Sequence, residues 1–133
     1  MTRTTGALFW RDVVASLSVH ARRAPAVVWP EDGEAVAEQV LAGDSFGGLP
    51  DPVVSATIVP LPPPGAADAD RLVLVLRGSC RVCIAPVLDL RLRTGEVVFV
   101  PARARCEWLE PRAGFRALLM VLGDADRPRQ ASR

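Results

Sequence analysis

The segment Leu88-Asp89-Leu90-Arg91-Leu92-Arg93 has a period of two, with three leucines on one face and three charges on the other. Successive side chains of an extended strand point to opposite faces, so this pattern describes a strand with one face buried and one wet. It lies in a second half built from short apolar runs separated by turn residues, which predicts an all-β sandwich or barrel. Strands are expected near Val53–Val59, Leu72–Leu76, Cys80–Ala85, Val87–Arg93, Glu96–Val100, Cys106–Leu109 and Phe115–Leu122. Between Pro60 and Asp70, four prolines and two aspartates predict a loop, and the polar stretch from Asp124 to Arg133 predicts a frayed tail.

The first half is mixed. Leu8 to Arg23 carries Trp10, Val13, Val14 and Leu17 at helical spacing, with Asp12 in the first turn, and predicts an amphipathic helix packed on the β structure. Ala26 to Trp29 predicts a short strand, and Glu34 to Leu41 a second short helix closed by Gly43. The expected organisation is one structural domain. Residues 1–48 form an N-terminal helical and strand cover, residues 49–123 the barrel, and residues 124–133 the tail.

With 133 residues, half of them apolar, the chain can bury an ordinary core without disulfide or metal staples. A net charge of +1, with acids and bases interleaved, provides no field for nucleic acid or an anionic membrane, so neither partner is expected. No apolar run approaches the roughly 20 residues that span a bilayer, and Met1 to Gly6 lacks a secretory h-region, which gives a cytoplasmic expectation. Every cation is Arg; without Lys there is no Schiff base and no P-loop lysine. Three cysteines, Cys80, Cys83 and Cys106, are expected to be thiols in a reducing compartment.

Thr94-Gly95-Glu96-Val97-Val98-Phe99-Val100-Pro101 followed by Cys106 resembles the second motif of the cupin superfamily, a glycine turn, a buried strand and a proline followed five residues later by a ligand histidine. Cys106 stands at that histidine position. Leu72-Val73-Leu74-Val75-Leu76-Arg77-Gly78 resembles the end of the first cupin motif, with Arg71 at the glutamate position and Gly65-Ala66-Ala67 where two histidines are expected. The resemblance implies a jelly-roll barrel with one or two short N-terminal helices, lacking the usual metal ligands. Three or four N or O ligands must converge to hold a divalent ion, and the chain has a single histidine, His20, so no metal or other cofactor is expected.

Among cupins, the chain is similar to the metal-free C-terminal barrel of type I mannose-6-phosphate isomerases. Arg11 to Leu17, Leu49 to Ala56, Leu72 to Gly78 and Leu90 to Ala102 carry that likeness. In that family the zinc and catalytic residues belong to the preceding barrel, so the resemblance implies an auxiliary, non-catalytic domain that binds a partner domain or a polar small molecule. No catalytic residue is assigned.

Two further classes stay open. One is a small-molecule sensor like the ligand arm of AraC-type regulators, whose strand resembles Leu74-Val75-Leu76-Arg77-Gly78-Ser79-Cys80. The other is a metal-independent isomerase or cyclase using the cavity. Cupins commonly pair through strand edges, which allows a homodimer.

The candidate ligand-binding residues are Arg71, Arg103, Arg105 and Cys106, expected at the barrel mouth, where these guanidinium groups, with that of Arg77, would hold a sugar phosphate bidentately. Cys80 and Cys83, three apart on a strand, should point to opposite faces and cannot grip one ion together. His20, Asp68 and Asp70 read as solvated residues, and Trp10, Trp29 and Trp108 as packing residues.

Overall fold

The computed structural model describes residues 24–29, 32–43, 53–85 and 88–123. Its elements run β1 (Ala26–Val28), α1 (Gly33–Leu41), β2 (Val53–Val59), β3 (Arg71–Ile84), β4 (Leu88–Arg93), β5 (Val97–Val100) and β6 (Cys106–Leu122). All pairings are antiparallel, in the order β1-β5-β3-β6-β2, with β4 also on β3. β6 follows β3 along its whole length. On the other edge of β3, β5 lies beside Arg71–Leu74 and β4 beside Ser79–Ile84, end to end.

Two pairs of expected strands are single long ones. Leu72–Leu76 and Cys80–Ala85 belong to β3, and Cys106–Leu109 and Phe115–Leu122 to β6. Glycine and proline bend these strands here without ending them. Gly78 has φ 76°, and a Cβ there would collide with the Arg112 carbonyl oxygen. Across from it Glu110, Ala113 and Gly114 have positive φ, and the register slips repeatedly between Val75 and Arg81.

Extra residues in a ladder exchange the two faces of a strand. In β3 the inward residues change from odd (Val73, Val75) to even (Cys80, Val82, Ile84); in β6 they change from even (Cys106, Trp108) to odd (Phe115, Ala117). Because the two bulges face each other, both strands keep one continuous inner surface while the sheet turns.

Each face of the sheet has its own core. On one, Val36, Ala37 and Val40 of α1 cover Leu72, Leu74 and Phe99. Their spacing gives the helix one apolar stripe, and Gly43, at φ 90°, ends it with its N–H on the Val40 carbonyl at 3.1 Å. The helix assigned to Leu8–Arg23 lies outside the described residues.

On the other face, Val73, Val82, Val98, Cys106 and Trp108 form the interior, with Trp108 and Phe115 tilted ring to ring at 6.2 Å. Val27 of β1 and Val59 of β2, from opposite edges of the sheet, both pack on this second core, so the sheet is curled around it. β3 from Arg71 to Leu76 is therefore buried on both sides, which accounts for a run apolar without alternation.

The proline-rich loop is clamped across one end of this interior. Gly65 and Cys106 exchange backbone hydrogen bonds at 2.7 and 3.1 Å, and Arg103 donates its N–H to the Ala67 carbonyl at 2.7 Å. The Asp70 carboxylate accepts from the Ala102 N–H at 2.7 Å. No helix among the described residues is long and apolar enough to cross a membrane.

Candidate functional site

Arg71 is the first residue of β3, opposite Val100 of β5 and Val121 of β6. Strand alternation puts it on the same side as Val73 and Val75, which places the guanidinium in the interior core. It is only 8% exposed, and it is the buried charge of the described core. Its Nε and Nη2 atoms have no hydrogen-bond partner among the described residues. Holding an ion this way costs several kcal/mol unless something supplies an opposite charge.

Cys106 is its neighbour in this interior, fully buried and within reach of the Arg71 charge. Burial pushes the thiol up to about 11, against opposing pulls from the Arg71 charge and a hydrogen bond with the Trp108 side chain. Cys106 is thus a neutral thiol near pH 7 and no counter-ion for Arg71. Cys80, on the same inner face, donates its thiol to the Leu109 carbonyl at 3.1 Å, and burial raises it too.

The other two expected residues do not converge on Arg71 and Cys106. Arg103 is exposed with φ 71°, and its backbone serves the loop clamp. Arg105 is exposed and lines an outer cleft of about 390 Å³ with Cys83, Leu88, Asp89 and Glu107. The strand-parity argument that separates Cys80 from Cys83 holds: the first lies in the core, and the second is half-buried on that cleft, opposite Asp89 in register. His20 and Trp10 lie outside the described residues.

Two arrangements went unread in the sequence. Arg81 grips Asp89 edge-on, Nε to Oδ1 and Nη2 to Oδ2, both at 2.8 Å. Arg91 donates to the Ser79 hydroxyl at 2.9 Å and to the Glu110 carboxylate at 2.9 Å, tying β4 to the bulge of β6. The signal was present in the charged face of β4, since its residues must have cross-strand partners once β4 lies on β3.

The residues at the usual cupin ligand positions do not fit a divalent ion. A guanidinium cannot ligate, Gly65 to Ala67 carry no donor side chain, and no three His, Cys, Asp or Glu side chains converge among the described residues.

No protein-family profile and no curated protein matches the chain. Among solved structures, YcfD, a ribosomal oxygenase from Escherichia coli, is similar over 80% of this chain and 32% of its own, with TM-score 0.50 and 15% identity. A candidate mannose-6-phosphate isomerase from Ralstonia eutropha shares 26% identity over 53% of this chain and 71% of its own, with TM-score 0.42. The DMSP lyase DddQ from Ruegeria pomeroyi shares 22% over 63% of this chain, with TM-score 0.43, and this chain covers 45% of the lyase, less than half its length. The likeness is one of fold, and the fold is of the cupin type.

Proposed function

With the cupin fold as premise, we propose that this chain is a binding domain that takes a small polar molecule into the interior beside Arg71 and performs no chemistry on its own. The observation that carries this reading is the buried guanidinium with two nitrogens, Nε and Nη2, that have no hydrogen-bond partner among the described residues. A cation is kept inside an apolar core at a cost to stability when it has something to bind there. The groups around it are poor at moving protons: Cys106 is held neutral, and Cys80 is spent on a backbone carbonyl. The resemblance to the metal-free barrel of mannose-6-phosphate isomerases supports the same auxiliary role.

The test is a thermal-shift and calorimetric screen of the purified chain against sugar phosphates, carboxylic acids and neutral sugars, with mannose 6-phosphate and fructose 6-phosphate assayed for interconversion. A saturable shift with at least one class and no turnover is expected. Interconversion by the chain alone, or no ligand of any class, would overturn the reading.

A further inference from the structure

We propose that Arg71 is a carboxylate receptor, and that the ligand is a small monocarboxylate with an apolar tail, held by both oxygens on the Nε and Nη2 edge of the guanidinium. This rests on the binding-domain reading above and specifies its ligand.

The chain contains its own template for the contact. Arg81 presents the same two atoms to the two oxygens of Asp89, each at 2.8 Å, in a bidentate pair on the surface. In Arg71 that edge is buried and has no partner among the described residues, although the residue is more than nine-tenths enclosed. The carboxylate next in sequence, Asp70, accepts from the Ala102 N–H and makes no hydrogen bond to Nε or Nη2 of Arg71. Two parallel N–H groups match a planar two-oxygen anion.

Charge selects within the anions. One buried cation is neutralised by one negative charge, whereas a phosphate dianion would leave a net negative charge and an unserved oxygen among apolar walls. The neighbouring thiol does not alter that balance, because burial keeps Cys106 protonated. The core residues on the same side of the sheet, Val73, Val98, Val100 and Trp108, are apolar, and would offer contact to an alkyl chain and little to a sugar.

The experiment is titration of the full chain with acetate, butyrate and hexanoate, with butyramide and methyl phosphate as probes of charge and shape. Binding is read by calorimetry and by the ¹⁵N–¹H resonances of arginine Nε. Butyrate should bind at least tenfold more tightly than acetate and tenfold more tightly than butyramide or methyl phosphate, and should move one Nε resonance that Arg71→Gln removes. Arg71→Lys keeps the charge without the fork and should weaken butyrate tenfold or more, while Arg103→Gln and Arg105→Gln leave it unchanged.

Butyrate affinity unchanged in Arg71→Lys and Arg71→Gln would overturn the proposal, as would equal affinity for methyl phosphate, and either would leave a binding domain with another ligand. Absence of binding by every probe here, with a neutral sugar bound, would also overturn it alone. If the Arg71 variants do not fold, the wild-type Nε resonance decides: no arginine Nε moving with butyrate sinks the inference.

Discussion

Gly33, at the start of α1, and Gly95, in the turn between β4 and β5, meet backbone to backbone. A methyl group on Gly33 would overlap the Gly95 carbonyl oxygen, and one on Gly95 would stand 2.7 Å from the Glu34 amide nitrogen. The contact sets how closely α1 lies on the sheet, and with it the burial of Val36 and Val40. Gly95 also has φ 89°. Gly95→Ala should therefore lose stability twice over, about 1–2 kcal/mol from the left-handed backbone and about 1–3 kcal/mol from the forced displacement. Gly65→Ala, at φ 94° but with nothing within 4 Å, should lose only the first. Urea melts of both check the difference; equal losses would mean that α1 is not seated on Gly95.

Arg71 should be a stability defect in the unliganded protein. Arg71→Met replaces a buried ion by an apolar chain of similar length, and should stabilise the free protein by about 1–4 kcal/mol. A lower denaturation midpoint for Arg71→Met would show that the guanidinium already has its counter-charge.

The thiols should separate by reactivity. Cys80 and Cys106 are fully buried, while Cys83 is half-buried at the outer cleft. At pH 8 a maleimide should label Cys83 first, and Cys80 and Cys106 only upon unfolding, as peptide mapping by mass would show.

Cys106 also predicts an alkaline limit. Its folded value of about 11 lies above the 9.0 of an unstrained thiol. Between those values the unfolded chain releases a proton that the folded chain keeps, so stability falls as pH rises from about 9 towards 11. Cys106→Val should flatten that limb of a pH-dependent melt; an unchanged slope would assign it to other groups.

At acid pH, the Arg81 hydrogen bonds hold the Asp89 carboxylate down to about 2, from 3.8. Its contribution is present above pH 4 and lost as pH falls towards 2, since there the unfolded chain takes up the proton first. Asp89→Asn should be less stable than the parent at pH 6 and closer to it at pH 2. As the pair is exposed, the effect is small and should shrink further in 1 M salt.

Where the sequence was legible, one period governed a whole element. Leu88 to Arg93 alternates without interruption and is a strand over those residues, and Val36, Ala37 and Val40 give α1 its stripe. Legibility failed where the period changes within a strand. Gly78 and the segment from Glu110 to Gly114 look like stops, because glycine, proline and positive φ usually separate elements; the long ladder between β3 and β6 overrides that local preference.

The same limit applies to the candidate site. Arg71 and Cys106 could be paired by counting motif spacings, but which of the four candidates would be enclosed depends on side-chain parity relative to strands distant in sequence. Arg71 shares a parity with Val73 and Val75; Arg103 and Arg105 lie on a connecting loop, where no such rule holds.

The long ladder between β3 and β6 also sets an order of events during folding. Arg71 pairs with Val121, fifty residues away, and Ile84 with Cys106. Hairpins such as β3 with β4 can close early, but the central pairing must wait until Leu122 has left the ribosome, and such non-local topologies fold slowly. Throughout that wait Leu72 to Leu76 is a sticky strand with one edge open. Arg71 and Arg77 bracket it, and charges flanking an apolar strand act as gatekeepers against aggregation. During biosynthesis, then, Arg71 helps protect the nascent chain before there is any interior for it to occupy.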